Sequence, residues 1–168
     1  MKNIYNIFTV ILFFVTISCQ DGLAPKNTED IQTKSYISGM IKYVGGINRF
    51  PDSSKVFGIY VVAFKEYPKD SSGIIAEILK GNAFLKFESQ PYPVDSSEFS
   101  IEFSEPPVNI EYIVVAMQTD SSIESQMAIG VFTETGDNTK PTEILIEKGK
   151  TYYIDITVDF DNLPPQPF

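Results

Sequence analysis

Apolar and polar residues alternate along much of the chain from Ser35 onward, which is typical of β-strands with one face buried and one face in water. The alternation is strict over 98–103 and over 152–160. Two other runs, Val56 to Phe64 and Ile110 to Met117, are apolar at almost every position. They predict central strands that are covered on both faces or only lightly exposed. Further strands are predicted at Tyr36 to Val44, Met127 to Phe132 and Thr142 to Glu147.

Residues that favour turns lie between these runs. The Lys148-Gly149 turn is predicted to close a hairpin. About seven short strands with regularly spaced turns favour an all-β fold, an antiparallel two-sheet sandwich of the immunoglobulin-like kind, over a barrel. The turn segments are Gly45-Gly46, Glu105-Pro106-Pro107, Gly136-Asp137-Asn138 and Lys148-Gly149.

One short helix is predicted in a connection between strands, lying across an edge of the sandwich. Asp70, Ser71 or Ser72 would cap its first turn, and Gly81 would end it. Its apolar residues recur at the spacing that places them on one helical face. These residues are Ile74, Ile75, Ile78 and Leu79.

Three stretches of the predicted sandwich resemble a known family. They are Ser38-Gly39-Met40-Ile41, Gly58-Ile59-Tyr60-Val61-Val62-Ala63-Phe64 and Tyr112-Ile113-Val114-Val115-Ala116. This succession resembles transthyretin-like or carboxypeptidase-regulatory-like sandwich domains of bacterial lipoproteins, over most of residues 35–160. The resemblance implies an accessory, binding or spacer module, and it nominates no catalytic residue.

The beginning of the chain has the pattern of a lipoprotein signal. An apolar run, Ile7 to Ile17, follows Lys2 and ends near Cys19, the single cysteine of the chain. The run is too short for a membrane-spanning helix, which needs roughly 18 or more apolar residues. Residues 16–19, Thr-Ile-Ser-Cys, resemble the lipobox of bacterial lipoproteins, although that family usually has Leu where this chain has Thr16. The resemblance implies cleavage before Cys19 and a lipid on its sulfur.

Two alternatives to lipidation stay open at this point: an ordinary signal peptidase that leaves a free thiol, and an uncut membrane helix. The predicted organisation is a signal peptide over 1–18, lipidated Cys19 with a flexible linker over 19–34, a β-domain over 35–160 and a proline-rich tail over 161–168. We expect a bacterial envelope membrane as the location, with the outer membrane favoured, on its periplasmic or surface side. Phe168 is expected to plug an apolar groove.

The amino-acid composition limits the partners, catalytic mechanisms and metal sites that the chain can have. The chain has 22 acidic and 13 basic residues, no histidine and a formal charge of −9, which disfavours nucleic acid as a partner. Without histidine, and with Cys19 lipidated, Ser-His-Asp catalysis, Cys-His catalysis and zinc sites built from His or Cys are excluded. We therefore predict a non-catalytic protein without a cofactor. The enzymatic alternatives that stay open are a hydrolase using a pair of carboxylates and acylation by a Ser-Lys pair.

Acidic residues suggest calcium in two places. The end of the last strand carries Asp159, Asp161 and Asn162, which are near enough to share an ion, whereas Asp155 would lie about 13 Å from Asp159 along the strand. Asp-Ser-Ser also occurs four times, and we interpret these copies as turns and helix caps rather than calcium loops. The four copies begin at Asp52, Asp70, Asp95 and Asp120.

Tyrosines suggest a glycan platform, since sugar rings stack on flat exposed aromatic rings that have polar groups at their edges. Tyr153, predicted on the water-facing side of the last strand, is the first candidate and Tyr43 the second. The predicted function is a membrane-anchored binding or structural module of the cell envelope. The membrane, through Cys19, and an envelope protein or glycan are its predicted partners. A carbohydrate- or calcium-binding accessory domain is the alternative.

Overall fold

The computed structural model describes residues 34–68, 73–122 and 124–167, which form a mostly β fold with one short α-helix. The predicted signal, Cys19, the linker before Lys34, the predicted helix cap at 70–72 and Phe168 lie outside the described residues. Nine strands are seen in the described part. They are β1 Ser35–Tyr43, β2 Gly58–Phe64, β3 Ala83–Leu85, β4 Ser96–Phe103, β5 Val108–Ile110, β6 Tyr112–Gln118, β7 Gln126–Val131, β8 Ile144–Ile146 and β9 Thr151–Val158.

Seven strands form one sheet in the order β3-β2-β6-β7-β9-β1-β4. The sheet is mixed, because β1 and β9 run parallel while the other pairs are antiparallel. The prediction of a wholly antiparallel arrangement is wrong at this pair. Alternation shows which side chains are buried, but it contains no information about the direction of the neighbouring strand.

The sheet curves until it is nearly closed. β7 and β9 are joined through a single residue pair, Gly130 and Val158. The two outermost strands, β3 and β4, approach each other, and the rings of Phe84 and Phe103 lie 4.9 Å apart. The resulting shape is close to a barrel.

A second, two-stranded sheet pairs β5 with β8. The predicted hairpin at Lys148-Gly149 is therefore corrected. The turn exists, with the Lys150 N–H donating to the Glu147 carbonyl at 3.3 Å, but it joins β8 to a strand of the other sheet. A turn sets the local course of the chain, and it does not decide which strand becomes the partner.

The burial pattern confirms the two strictly alternating strands, β4 and β9, each with one buried and one exposed face. β2 and β6 are buried along nearly their whole length, as predicted for central strands. Their inner faces belong to a main core that all seven strands of the large sheet line. Their outer faces belong to a smaller apolar cluster that also contains Ile74.

That second cluster is covered by the helix α1, Gly73–Leu79. Ile74 is buried, Ile78 is half-buried and Leu79 is exposed. Gly81 has φ of 74°, and its N–H donates to the Ile78 carbonyl at 2.9 Å. The predicted helix and its glycine stop are confirmed, since this left-handed backbone is favourable for glycine. The prediction that Leu79 shares the buried face is wrong, because the last residue of the short helix faces water.

The tail after β9 is held along β7. The Gln166 side chain accepts a hydrogen bond from the Ala128 N–H at 2.8 Å and donates to the Ala128 carbonyl at 3.0 Å. An amide side chain here replaces the backbone of an absent neighbouring strand. Within the three described ranges, no helix is long and apolar enough to cross a membrane.

Candidate functional site

The outer face of β9, β1 and β4 is polar. Register places Ser38 between Ser100 and Tyr153, and Met40 between Glu98 and Asp155. Because each strand alternates, these side chains all point away from the main core. We call this surface the polar face. Its members are Tyr36, Ser38, Met40, Lys42, Ser96, Glu98, Ser100, Glu102, Thr151, Tyr153, Asp155 and Thr157.

Tyr153 is the prominent aromatic side chain of the polar face, with 82% of its surface exposed. It borders a shallow groove of about 420 Å³, together with Ser38, Glu98, Ser100 and Asp155. An exposed aromatic ring gives up the free energy that burial of its apolar surface would provide. Exposed aromatic rings are therefore more common at binding surfaces than elsewhere on a protein. The sequence-based prediction that Tyr153 faces water is confirmed.

Gly39 is needed for the close approach of β1 and β9 beneath this groove. A Cβ atom built on Gly39 would overlap the carbonyl oxygen of Ile154. Since that oxygen belongs to the backbone of the neighbouring strand, it has no side-chain freedom with which to move aside. The smallest residue thus allows the parallel pair that brings Tyr153 beside Ser38.

The charged groups of the polar face are mostly paired. Lys42 donates to Asp155 at 2.6 Å, and this bond holds the pKa of the Asp155 carboxyl below its usual value. Lys34 contacts Glu102 at 2.9 Å, which raises the pKa of Lys34. Both pairs are exposed, so each contributes little to stability. Their effect is to fix the orientation of the carboxylates.

Hydroxyl groups complete the surface. The Ser38 and Ser100 oxygens lie 2.9 Å apart in a hydrogen bond, next to the Tyr153 ring. A flat ring beside hydroxyls and an oriented carboxylate can stack on a sugar ring and exchange hydrogen bonds with its hydroxyls. The groove residues Ser38, Glu98 and Ser100 were not predicted from the sequence. Alternation along each strand indicates that these side chains face outward. Only the register of β1 with β4 and β9 shows that they lie next to one another.

Tyr43 is not part of this surface, and its prediction as a second platform is wrong. Only 5% of Tyr43 is exposed, and its ring packs against Phe50 at 4.6 Å and Phe160 at 6.4 Å between centroids. Burial raises the pKa of Tyr43, while the nearby Ser97 hydroxyl opposes the rise; neither oxygen makes a hydrogen bond of acceptable geometry. Tyr43 lies an even number of residues from Ile37 and Ile41 on β1, so strand alternation places it on the same buried face. This signal was available in the sequence.

The acidic end of β9 is arranged as a turn. Asp159 accepts from the Asp161 N–H at 3.0 Å, and Asp161 pairs with Arg49 at 3.2 Å. The Asn162 carbonyl accepts from the Asn138 side chain at 3.4 Å. Within the part of the chain that is described, no group of three or more acidic side chains is placed to hold a metal ion. The two carboxylates have different partners, the Asp161 N–H for Asp159 and the Arg49 side chain for Asp161, and calcium binding by Asp159, Asp161 and Asn162 stays a prediction.

The Asp-Ser-Ser segments behave as turns and caps where they are described. Asp52 accepts from the Ser54 N–H at 3.0 Å and Asp120 from the Ser122 N–H at 2.6 Å, which confirms that interpretation for these copies. Asp95 accepts from the more distant Ile47 N–H at 3.0 Å, so it ties two loops together. Asp70 lies outside the described residues.

Comparison with known proteins adds no family to this description. No family model, no curated protein and no solved structure matches the chain.

Proposed function

We propose that the chain is a lipid-anchored protein of the bacterial cell envelope whose β-domain is a non-catalytic binding module. The polar face is its proposed binding surface. The observation that carries the proposal is the position of Tyr153, an aromatic ring with 82% of its surface exposed at the border of a groove. The location rests on the lipobox-like residues 16–19.

The fold supports comparison with a sandwich. The single residue pair between β7 and β9 divides the large sheet into two leaves, β3-β2-β6-β7 and β9-β1-β4. The inner faces of both leaves share the main core. We propose that the domain is a variant of the two-sheet, transthyretin-like sandwich in which β1 and β9 pair in parallel.

The non-catalytic part of the proposal rests on the state of the acids. A carboxylate pair that hydrolyses glycosides needs one acid with a raised pKa beside one ionised acid. On the polar face, Asp155 is paired with Lys42, which lowers its pKa, and Glu102 is paired with Lys34. The lowered pKa of Asp155 favours its ionised form, which suits binding rather than acid catalysis.

Crosslinking in cells tests the binding surface. A photo-crosslinking amino acid at position 153 should capture a specific envelope component, whereas the same group at Phe57 should not. Phe57 is a suitable control, since 50% of its surface is exposed and it precedes β2 in the other leaf. Equal capture at the two positions, or none at position 153, would contradict the proposal.

A glycan is the second candidate as the partner class, and the Ser38–Ser100 hydroxyl pair beside Tyr153 is the observation that favours it. An array of envelope glycans should show binding by the native domain that Tyr153→Ala reduces at least tenfold, because stacking on the ring is lost. Phe57→Ala should bind as the native domain does. Binding that survives Tyr153→Ala would remove the polar face as the glycan site.

A further inference from the structure

The outer face of β2 and β6 is apolar, and α1 is too short to cover all of it. The seven residues of α1 span about 10 Å, whereas the seven residues of β2 span about 23 Å. Ile74 is buried against this face. A pocket of about 260 Å³ remains between α1, the sheet and the segment that follows β3.

The pocket wall is mainly apolar. α1 contributes Ile74 and Ile75, the sheet contributes Val62 and Leu85, and Phe87 follows β3 at the rim. Phe87 has 70% of its surface exposed. A ligand that covered this ring would bury apolar surface and so gain binding free energy. The combination of an unfilled apolar cavity and an exposed aromatic rim is typical of a small-molecule site.

Gly58 makes room for one side of the pocket wall. Tyr60 lies two residues after Gly58 on β2. A Cβ added to Gly58 would come within 2.6 Å of the Tyr60 hydroxyl oxygen. Gly58 therefore provides the space that the Tyr60 ring occupies.

Polar groups of the wall are neutral amides and a phenol. Gln118 donates from Nε2 to the carbonyls of Asp120 and Ser122 at 2.9 and 3.1 Å, so its amide oxygen is the atom suited to accept a hydrogen bond. Gln126 and Tyr60 lie in the same wall. Of the described residues that line the pocket, none is charged, and a charged ligand would lose its hydration there without compensation.

We propose that this pocket binds a small, uncharged, mainly apolar molecule of one or two rings that carries one hydrogen-bond donor. An apolar cavity of about 150 Å³ is large enough for benzene, so the larger volume here admits a bicyclic ring. The donor would pair with the amide oxygen of Gln118. This site lies on the other leaf from the polar face and is independent of it.

Indole is a suitable probe, because it has two fused rings and one N–H donor. The fragment Gln32–Phe168, one compact unit that contains both apolar clusters, would be labelled with ¹⁵N and titrated with indole. Saturable amide shifts are expected around Tyr60, Ile74, Gln118 and Gln126, with a Kd of about 1 mM or below. 1-Methylindole, which lacks the donor, should bind several-fold more weakly, and indole-3-carboxylate at least tenfold more weakly.

A matched pair of variants locates the site. Leu85→Trp should fill the pocket and weaken indole binding at least tenfold, whereas Leu145→Trp, on the small sheet with 57% of Leu145 exposed, should leave it unchanged. If Leu85→Trp does not fold, the shifts in the native fragment decide. Absence of saturable shifts at the lining residues, shifts confined to the polar face, or equal binding of indole-3-carboxylate would overturn the proposal.

Discussion

Single residues in this protein act mainly by allowing close approach or by satisfying backbone groups. Gly39 permits β1 and β9 to meet. Asp52 and Asp120 bind N–H groups that would otherwise lack partners within their own turns. These roles follow from the size and hydrogen-bonding chemistry of the side chain, and two of them could be predicted from the Asp-Ser-Ser spacing alone.

Gly39→Ala is expected to destabilise the domain by about 3 kcal/mol or more, because the added methyl group overlaps the Ile154 carbonyl and two strands must move apart. Ser38→Ala is the matched control. It changes an outward-facing position beside Gly39, so its effect should stay within about 0.5 kcal/mol. Urea unfolding of the two variants measures the difference, and equal stabilities would show that the strand pair is looser than described.

Asp137 should titrate at unusually low pH. Its carboxylate accepts from the Thr139 hydroxyl at 2.6 Å and contacts Lys140 at 2.9 Å, and these bonds lower its pKa to about 2. Because the folded pKa lies below the unfolded one, this group stabilises the fold above about pH 4. That contribution disappears as the pH falls through about 2.

Thr139→Val should raise the pKa of Asp137, since the strongest hydrogen bond to the carboxylate is removed. Thr151→Val, at an exposed position of β9, should leave it unchanged. Carboxyl ¹³C shifts followed from pH 1.5 to 6 measure both values. An unchanged pKa in Thr139→Val would assign the shift to other groups.

For the strands and the helix, the residues that form an element are set locally, whereas the strand that it pairs with is not. β8 forms where the sequence predicts a strand, and the Lys148-Gly149 turn follows it, yet β8 pairs with β5. α1 ends close to its predicted stop at Gly81, and its short length decides how much of the outer sheet face it covers. The tail after β9 has no strand of its own, and a side chain pairs with β7 in its place.

Removal of the Gln166 amide is therefore expected to weaken the fold. Gln166→Ala leaves the Ala128 N–H and carbonyl without their partner, which costs about 1–3 kcal/mol. Gln166→Glu keeps an acceptor but loses the bonds that Nε2 donates to the carbonyls of Ala128 and Pro164, so it should also be destabilising. Asn162→Ala, an exposed change in the same tail, is the control. Thermal unfolding that fails to distinguish Gln166→Ala from Asn162→Ala would contradict this function of the tail.

For the whole molecule, the two leaves of the large sheet have outer faces of different character. The β9-β1-β4 leaf presents hydroxyls, paired charges and Tyr153, and the β2-β6 region presents an apolar surface partly covered by α1. The two faces therefore suit ligands of different chemistry. The membrane anchor, in contrast, is a proposal that rests on the sequence before the described domain.

The anchor predicts that the protein becomes labelled when producing cells grow with labelled palmitate. Cys19→Ala should abolish the label, because the sulfur that carries the lipid is lost, and should release the protein from the membrane fraction. Ser18→Ala is the control, since Ala is also small enough for cleavage and it should keep the label. A labelled Cys19→Ala variant would refute lipidation at this residue.

The short strands β3 and β5 were not predicted as separate strands. The amino-acid sequence by itself determined the other strands, the helical segment that ends before Gly81, and that Tyr153 faces water. These properties depend on local alternation, on helical spacing and on glycine or proline at turns, all of which are contained in neighbouring residues. The parallel pairing of β1 with β9 and the pairing of β8 with β5 were decided only by the tertiary structure. They depend on contacts between residues far apart in the chain, whose free energies are settled when the whole core packs together.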